Sequence, residues 1–331
     1  MKIEREIKIP FEDVLIKPAY STIINRETEI DISVDFLGKK IIPIISSNMD
    51  YVTGVRMALA MENTGALGIL NRFEPLVEQL MESMVRPTPL YISVGIRDFE
   101  DSLARIRAFN PYGICIDVAH GDHQQVVRLI DAIKLKYDKK YKIIAGNIAT
   151  QDGFYNLATA GIDAIKVGIG PGSVCTTRSV TGCGVPQLSA IIECAEERDK
   201  YFPDVQIIAD GGINSSGDIV KALAAGADAV MLGRLLAGHD ECPGPKESLI
   251  FRSYRGQSIN GTNRIAPEGI EGTVPYRGPV ENTIKKLAAG IRSGFSYVGA
   301  RNIQELRDNT VFQLVSNATK HESNTRVLQE I

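Results

Sequence analysis

The sequence predicts an α/β protein: a single (β/α)8 TIM barrel, one domain spanning residues 1–331. Three observations predict it. Eight short runs rich in Val and Ile recur, each closed by a small or polar cluster. Continuous apolar runs of this kind suit a parallel sheet buried on both faces. Segments of helical character separate them, and two, MALAMENTG and DIVKALAAG, end in Gly, a helix-stop signal. The alternation runs on for roughly 200 residues, the arrangement of a (β/α)8 barrel. A doubly wound open sheet is the rival, and strand count alone leaves both open.

The strands are read in order as KIIPIIS (40–46), GALGIL (65–70), LYISVG (90–95), YGICIDV (112–118), KIIAGN (142–147), DAIKVG (163–168), QIIADGG (206–212) and DAVMLG (228–233). TAGIDAIKVG and AAGADAVMLG share one pattern: helix end, Gly, Asp, strand. The gap between the second and third runs is too short for an inserted accessory domain. Residues 1–39 form an N-terminal extension, and 240–331 a C-terminal lid and helical segment outside the eight units.

Composition excludes several classes. Net charge is −3 and no basic run occurs, so nucleic acid is not an expected partner. The N-terminus MKIEREIKIP lacks the apolar core of a signal peptide. The most apolar stretch, IVKALAAGADAVMLGRLLAG, carries Lys221, Asp228 and Arg234, so no membrane span is expected. Five scattered cysteines with no CxxC pair argue against a disulfide framework or a structural zinc site. The expectation is a cytoplasmic globular protein.

In such a barrel the functional groups sit at the C-terminal ends of the strands. Here those ends are SSNMD, NR, SVG, DVAHG, GN, GIGPGSVCTT, DGG and LGR. Each alone reads equally well as an ordinary strand-to-helix turn, which needs Gly, Asp and Asn anyway. Eight in register favour a site. Loops after the seventh and eighth strands often bind phosphate through backbone N–H groups. Gly211, Gly212 and Gly233 would let the backbone close on an anion, Arg234 could add charge, and Ser173 a hydroxyl. Asp210 is a poor phosphate neighbour but a good acceptor for ribose hydroxyls; its bland alternative is a helix cap. Together these suggest a nucleotide.

Cys175, in a glycine-rich loop before a helix start, has the surroundings of a reactive thiol. The alternative is a small buried hydrophobe, the reading taken for Cys115 and Cys194. Thr177 lies two residues on, and Glu268 in APEG is a candidate acid/base partner, with a solvated surface glutamate as its alternative. His120 and His123 follow a strand end, but no third ligand completes a metal pattern.

GIGPGSVCTTR, followed by TGCGVPQLSAIIECAE, closely resembles the active-site loop of GMP reductases, of the IMP dehydrogenase/GMP reductase family. ADGGINSSGDIVKALAAGADAVMLG, LAGHDECPG, FEDVLIKP and SSNMD are similar to that family too, so the resemblance covers nearly the whole chain. It implies NADPH-dependent reductive deamination of GMP to IMP through a covalent thioimidate between Cys175 and purine C2. Thr177 and Glu268 would activate the departing amine. Met49, Asn147, Ser173, Asp210, Gly211, Gly212, Gly233, Arg234, Gln257, Ser258 and Gly269 would hold the nucleotide. Arg72, Ser93, Gly95, Asp117 and His120 would face the cofactor. The resemblance also implies a homotetramer and a potassium ion on backbone carbonyls of Gly170, Gly172 and Cys175.

Some features point elsewhere. APEGIEGTVPYRG and the YRG at 254–256 look more like IMP dehydrogenase, which hydrolyses the same covalent species to XMP. Against that, QSINGTNRIAP (257–267) is short and holds no tyrosine, lysine or acid to activate water. Arg72 stands where many reductases carry lysine, Arg234 replaces a small residue, and Gln257 a methionine, so a deoxy or modified purine nucleotide is a further alternative. A purine nucleotide sensor without catalysis is the last.

Overall fold

The computed structural model describes residues 3–84, 90–256 and 265–323. Eight parallel strands close into a barrel in chain order. They are β1 (Ile44–Ser46), β2 (Leu67–Leu70), β3 (Tyr91–Val94), β4 (Gly113–Asp117), β5 (Lys142–Ile148), β6 (Ala164–Val167), β7 (Gln206–Asp210) and β8 (Ala229–Leu232). Closure joins β8 to β1, with Val230 opposite Ile44 and Leu232 opposite Ser46. The open-sheet alternative is thereby removed. The barrel helices are α1 (Val55–Asn63), α2 (Leu76–Ser83), α3 (Phe99–Phe109), α4 (Gln124–Tyr137), α5 (Gln151–Thr159), α6 (Gln187–Tyr201), α7 (Ser216–Ala224) and α8 (Val280–Tyr297).

Strand alternation sorts side chains into two shells. Ile45, Ile69, Tyr91, Cys115, Ile144, Ala164, Ile208 and Met231 point inward and fill the barrel. Their neighbours, among them Ile44, Ile116, Ile143, Ile165, Ile207 and Val230, face the helices in the larger core. Continuing the inward parity towards the strand C-termini gives Ser47, Asp117, Lys166 and Asp210. One periodicity thus makes an apolar barrel and a polar mouth.

Local chemistry starts the helices. Asp98, Thr150 and Ser215 accept hydrogen bonds from first-turn backbone N–H groups of α3, α5 and α7. His123 does the same for α4, its Nδ1 accepting from Gln125 N at 3.0 Å, so this histidine is a helix cap.

Two boundaries differ from the sequence reading. The run 40–46 is broken at Pro43, which has no N–H to continue a ladder. Lys39–Ile41 pairs antiparallel with Val34–Phe36, and Phe36, Leu37 and Ile41 of this hairpin plug the N-terminal end of the barrel. The segment after 240 is also not wholly outside the barrel units. A hairpin of Phe251–Arg255 and Glu271–Pro275 intervenes, and then α8 packs against α7 and α1 as the eighth barrel helix. The two extensions meet where Val14–Ile16 pairs antiparallel with Phe312–Leu314. Among the described residues no helix is long and apolar enough to cross a membrane.

Candidate active site

A cavity of about 230 Å³ opens at the C-terminal mouth of the barrel. The loop after β6 forms one wall and carries Cys175. It begins at Gly168, with φ +148°, where a Cβ would meet the Asp210 carbonyl oxygen at 2.0 Å; no other residue fits. The loop then turns, Cys175 N donating to Gly172 O at 3.0 Å, and enters the short helix Thr177–Thr181.

The loop is pinned to residues far along the chain. Cys175 forms an antiparallel bridge with Gly269, Ile270 N donates to Val174 O at 3.0 Å, and Thr176 N to Glu268 O at 3.2 Å. These backbone bonds bring Glu268 over the cysteine. Thr177 Oγ1 donates to Glu268 Oε2 at 2.8 Å, and Cys175 Sγ donates to Thr177 Oγ1 at 3.1 Å. A thiol, a hydroxyl and a carboxylate are therefore aligned with every donor pointing towards the glutamate. This chain can take a proton from sulfur and later return one to a leaving group. The solvated-surface reading of Glu268 does not hold, since it lines the cavity with Cys175 and Thr177.

Across the cavity lie Met49, Asn147 and Asp210. Asn147 Nδ2 donates to Gly168 O at 2.8 Å and to Asp210 Oδ2 at 2.9 Å. Asp210 is not a helix cap, because Ser215 fills that role for α7. Gly211 and Gly212 follow with φ of +93° and +77°. Gly233 admits Tyr254: a Cβ there would lie 2.7 Å from the tyrosine oxygen and 3.2 Å from Met49 Sδ. Tyr254 is buried, which raises its pKa, with Ser173 opposing through a hydrogen bond. On the β2 to β4 side, Arg72 lies over the Phe73 ring at 4.4 Å and within 3.3 Å of where a Cβ on Gly95 would sit. Its Nε is buried and makes no hydrogen bond among the described residues. Asp117 sits in the same wall, ionised against Lys166.

A family described as IMP dehydrogenase / GMP reductase domain matches residues 8–326. The chain belongs to this family. It is 44% identical to an inosine-5′-monophosphate dehydrogenase of Aquifex aeolicus over 261 residues, 72% of this chain and 53% of that one. It spans about half the length of the dehydrogenases it matches. A GMP reductase of Yersinia enterocolitica is 37% identical, with 94% of this chain and 96% of that one covered. Among solved structures, GMP reductase C318A from Trypanosoma brucei, in complex with guanosine 5′-monophosphate, matches with a TM-score of 0.87 at 26% identity. That likeness covers 98% of each chain.

For this family member, the structure does not bring every sequence-predicted residue to the cavity wall. Ser93 is fully buried, and its hydroxyl is spent on Leu70 O at 2.6 Å. His120 is exposed and lies off the wall. Arg234 is exposed beside the β7 loop, its Nη2 donating to Asn214 Oδ1 at 3.0 Å. Gly95, Ser173, Gly212, Gly233 and Gly269 flank the cavity without lining it. Gln257 and Ser258 lie outside the described residues. Around the loop carbonyls named for potassium, Gly172 O already accepts from Cys175 N, and the Arg178 side chain packs over Gly170.

Sequence reasoning missed Lys166 and Tyr254, both in the wall. The signal for Lys166 was available: a charge at an inward position of the apolar run DAIKVG. Tyr254 opens the YRG at 254–256, noted only for its likeness to the dehydrogenases; a hairpin distant in sequence delivers it.

Proposed function

We propose that the protein catalyses NADPH-dependent reductive deamination of GMP to IMP and ammonia, within one barrel domain. The observation that carries this reading is the hydrogen-bonded line Cys175–Thr177–Glu268 in the wall of the cavity at the barrel mouth. A site that only binds or senses a nucleotide needs no such line.

The proton on Sγ passes through the Thr177 hydroxyl to Glu268, leaving a thiolate. The thiolate adds to C2 of the guanine ring. Glu268, now protonated, returns the proton through Thr177 to the amine, which departs as ammonia and leaves a thioimidate between Cys175 and C2. When bound, NADPH supplies a hydride to C2. The Sγ–C2 bond then breaks, regenerating the thiolate and releasing IMP. Arg72 suits the nicotinamide side, because its buried, unpartnered Nε fits a carboxamide oxygen, with Gly95 making room and Asp117 beside it. On the nucleotide side, Asp210 offers a carboxylate to the ribose. Gly211, Gly212, Gly233, Ser173 and Arg234 form the phosphate end, and Met49, Asn147 and Gly269 frame the base.

A second reading, oxidation of IMP to XMP, is favoured by the 44% identity to dehydrogenases and by the EGIEG and YRG segments. It requires water at C2, which a reductase must exclude. We also propose a homotetramer in the cytoplasm, checked by sedimentation and fractionation. A potassium ion on Gly170, Gly172 and Cys175 carbonyls is a separate proposal with no step assigned: Gly172 O keeps a second lone pair, and replacing potassium by sodium tests it. The deciding experiment offers the purified protein GMP with NADPH and, separately, IMP with NAD. Consumption of NADPH with IMP and ammonia formed supports the reductase; turnover only of IMP supports the dehydrogenase.

A further inference from the structure

Strand β6 reads Ala164-Ile165-Lys166-Val167, and alternation turns Ala164 and Lys166 into the barrel. In register, Lys166 stands between Gly146 of β5 and Ile208 of β7, one strand beyond Asp117 of β4. Its side chain is 2% exposed. Such a position normally takes an aliphatic residue, because a buried ammonium costs several kcal/mol unless its partners repay it.

The partners come from both halves of the mouth. Nζ lies 2.5 Å from Asp117 Oδ1 and 3.3 Å from Asp210 Oδ2. Burial opposes the lysine's charge, but Asp117 and Asp210 outweigh it and raise its pKa. Burial likewise opposes the charge of Asp117, and Lys166 outweighs it. Asn147 donates to the same Asp210 oxygen at 2.9 Å. Oδ2 of Asp210 is thus committed to two donors from the protein. Oδ1 makes no hydrogen bond among the described residues and stays available to a ligand.

We propose that Lys166 is a specificity-determining positioning residue: pinned by Asp117, it fixes the Asp210 carboxylate so that its second oxygen reads the ribose hydroxyls of the nucleotide. The inference rests on the placement of the nucleotide's ribose at Asp210. A site built to hydrogen-bond a hydroxyl rejects the analogue that lacks it, provided the acceptor cannot swing away. Without Lys166 the carboxylate keeps only Asn147 and loses that rigidity. Ribose discrimination falls, while contacts to base and phosphate persist.

The test is equilibrium binding, read separately from turnover. Affinities of GMP, IMP and their 2′-deoxy and 3′-deoxy forms are measured by calorimetry on wild type and Lys166→Met. We expect the wild type to favour the ribo form by at least about 100-fold over one of the deoxy forms. In the variant that ratio falls by about tenfold or more, with deoxy affinity within about threefold of wild type. If Lys166→Met does not fold, D117N/K166M removes the ion pair as a unit and is read in the same way. Equal weakening of ribo and deoxy forms, an unchanged ratio, or a wild type indifferent to both hydroxyls would overturn the inference. Failure of the wild type to reduce GMP would instead overturn the proposed reaction, since the binding ratios are measured without the cofactor.

Discussion

The barrel has a cavity at each end. The foot cavity is about 460 Å³, the mouth cavity about 230 Å³. The foot is rich in charge, but its cations are matched. Lys142 pairs with Asp163 at 2.8 Å; Arg198 and Arg307 pair with Asp228 at 3.1 and 3.0 Å. The acids are held further by the backbone: Asp163 accepts from Ile143 N and Asp228 from Ile207 N. These groups tie strand starts to helices. The mouth differs. Arg72 Nε has no partner among the described residues, Asp210 keeps an oxygen open, and a thiol, a hydroxyl and a carboxylate line up on one wall. Polar groups whose hydrogen bonds are complete stabilise a fold; polar groups left incomplete in a concave wall await a ligand.

That contrast can be broken or sharpened by substitution at each end. The largest expected effect is at Cys175: Cys175→Ala should lower turnover of GMP by at least about 10⁴-fold while nucleotide affinity stays within a few-fold. Steady-state kinetics and calorimetry check it together. Glu268→Gln keeps the hydrogen-bond geometry but cannot hold the relayed proton. It should cost about 10²–10³-fold in kcat with little change in KM. At the foot the outcome reverses. Asp228→Ala strands Arg198, Arg307 and Ile207 N, and should cost about 2–3 kcal/mol, lowering Tm by roughly 5 °C. Its kcat/KM should match wild type, and a kinetic defect as large as that of Glu268→Gln would break the comparison.

Thiol reactivity gives a finer test. Burial pushes the Cys115 thiol up to about 12 and the Cys242 thiol up to about 11, and raises that of Cys194 too. At pH 8 their thiolate fractions are about one in a thousand or less. Alkylation followed by mass spectrometry should therefore mark Cys183, which is exposed, and Cys175, which borders the cavity, with GMP protecting Cys175 alone.

The smallest expected effect is a flat pH response. The lowered pKa of Asp117 contributes stability above the ordinary carboxylate value of about 4, lost as pH falls through the lowered value. The raised pKa of Lys166 contributes below the ordinary lysine value of about 10.4, lost as pH rises through the raised value. Between about pH 5.5 and 9 the Tm difference between wild type and D117N/K166M, in which neither group titrates, should stay constant. A difference that collapses within that window would mean the pair is not ionised as described.

Much of this was legible in the chain. Seven of the eight strands fall inside their apolar runs and β5 overruns its own by one residue, Ile148, since a parallel barrel strand buried on both faces leaves an unbroken Val/Ile signature. The cysteine loop was legible because its glycines and its thiol chemistry share one contiguous segment. What was not legible follows from pairing across distance. Pro43 splits a run that reads as one strand. The eighth helix is delayed by a hairpin with no apolar run of its own. Ser93 and His120 stand near the right strand ends, yet one hydroxyl is consumed by Leu70 O and the imidazole is left off the wall. Lys166 disappeared into an apolar run whose inward parity was not followed, and Tyr254 reaches the mouth only because residues 251–255 pair with 271–275.

The central claim is that Cys175 forms a covalent bond to purine C2 that is resolved by hydride. The most direct test is a single-turnover reaction of GMP with NADPH deuterated at the transferred position, with IMP and ammonia analysed by mass spectrometry. The account predicts IMP carrying one deuterium at C2, one ammonia per IMP, and a Cys175–purine adduct trapped when NADPH is withheld. IMP without deuterium, or XMP formed from IMP and NAD with no reaction of GMP, would contradict it.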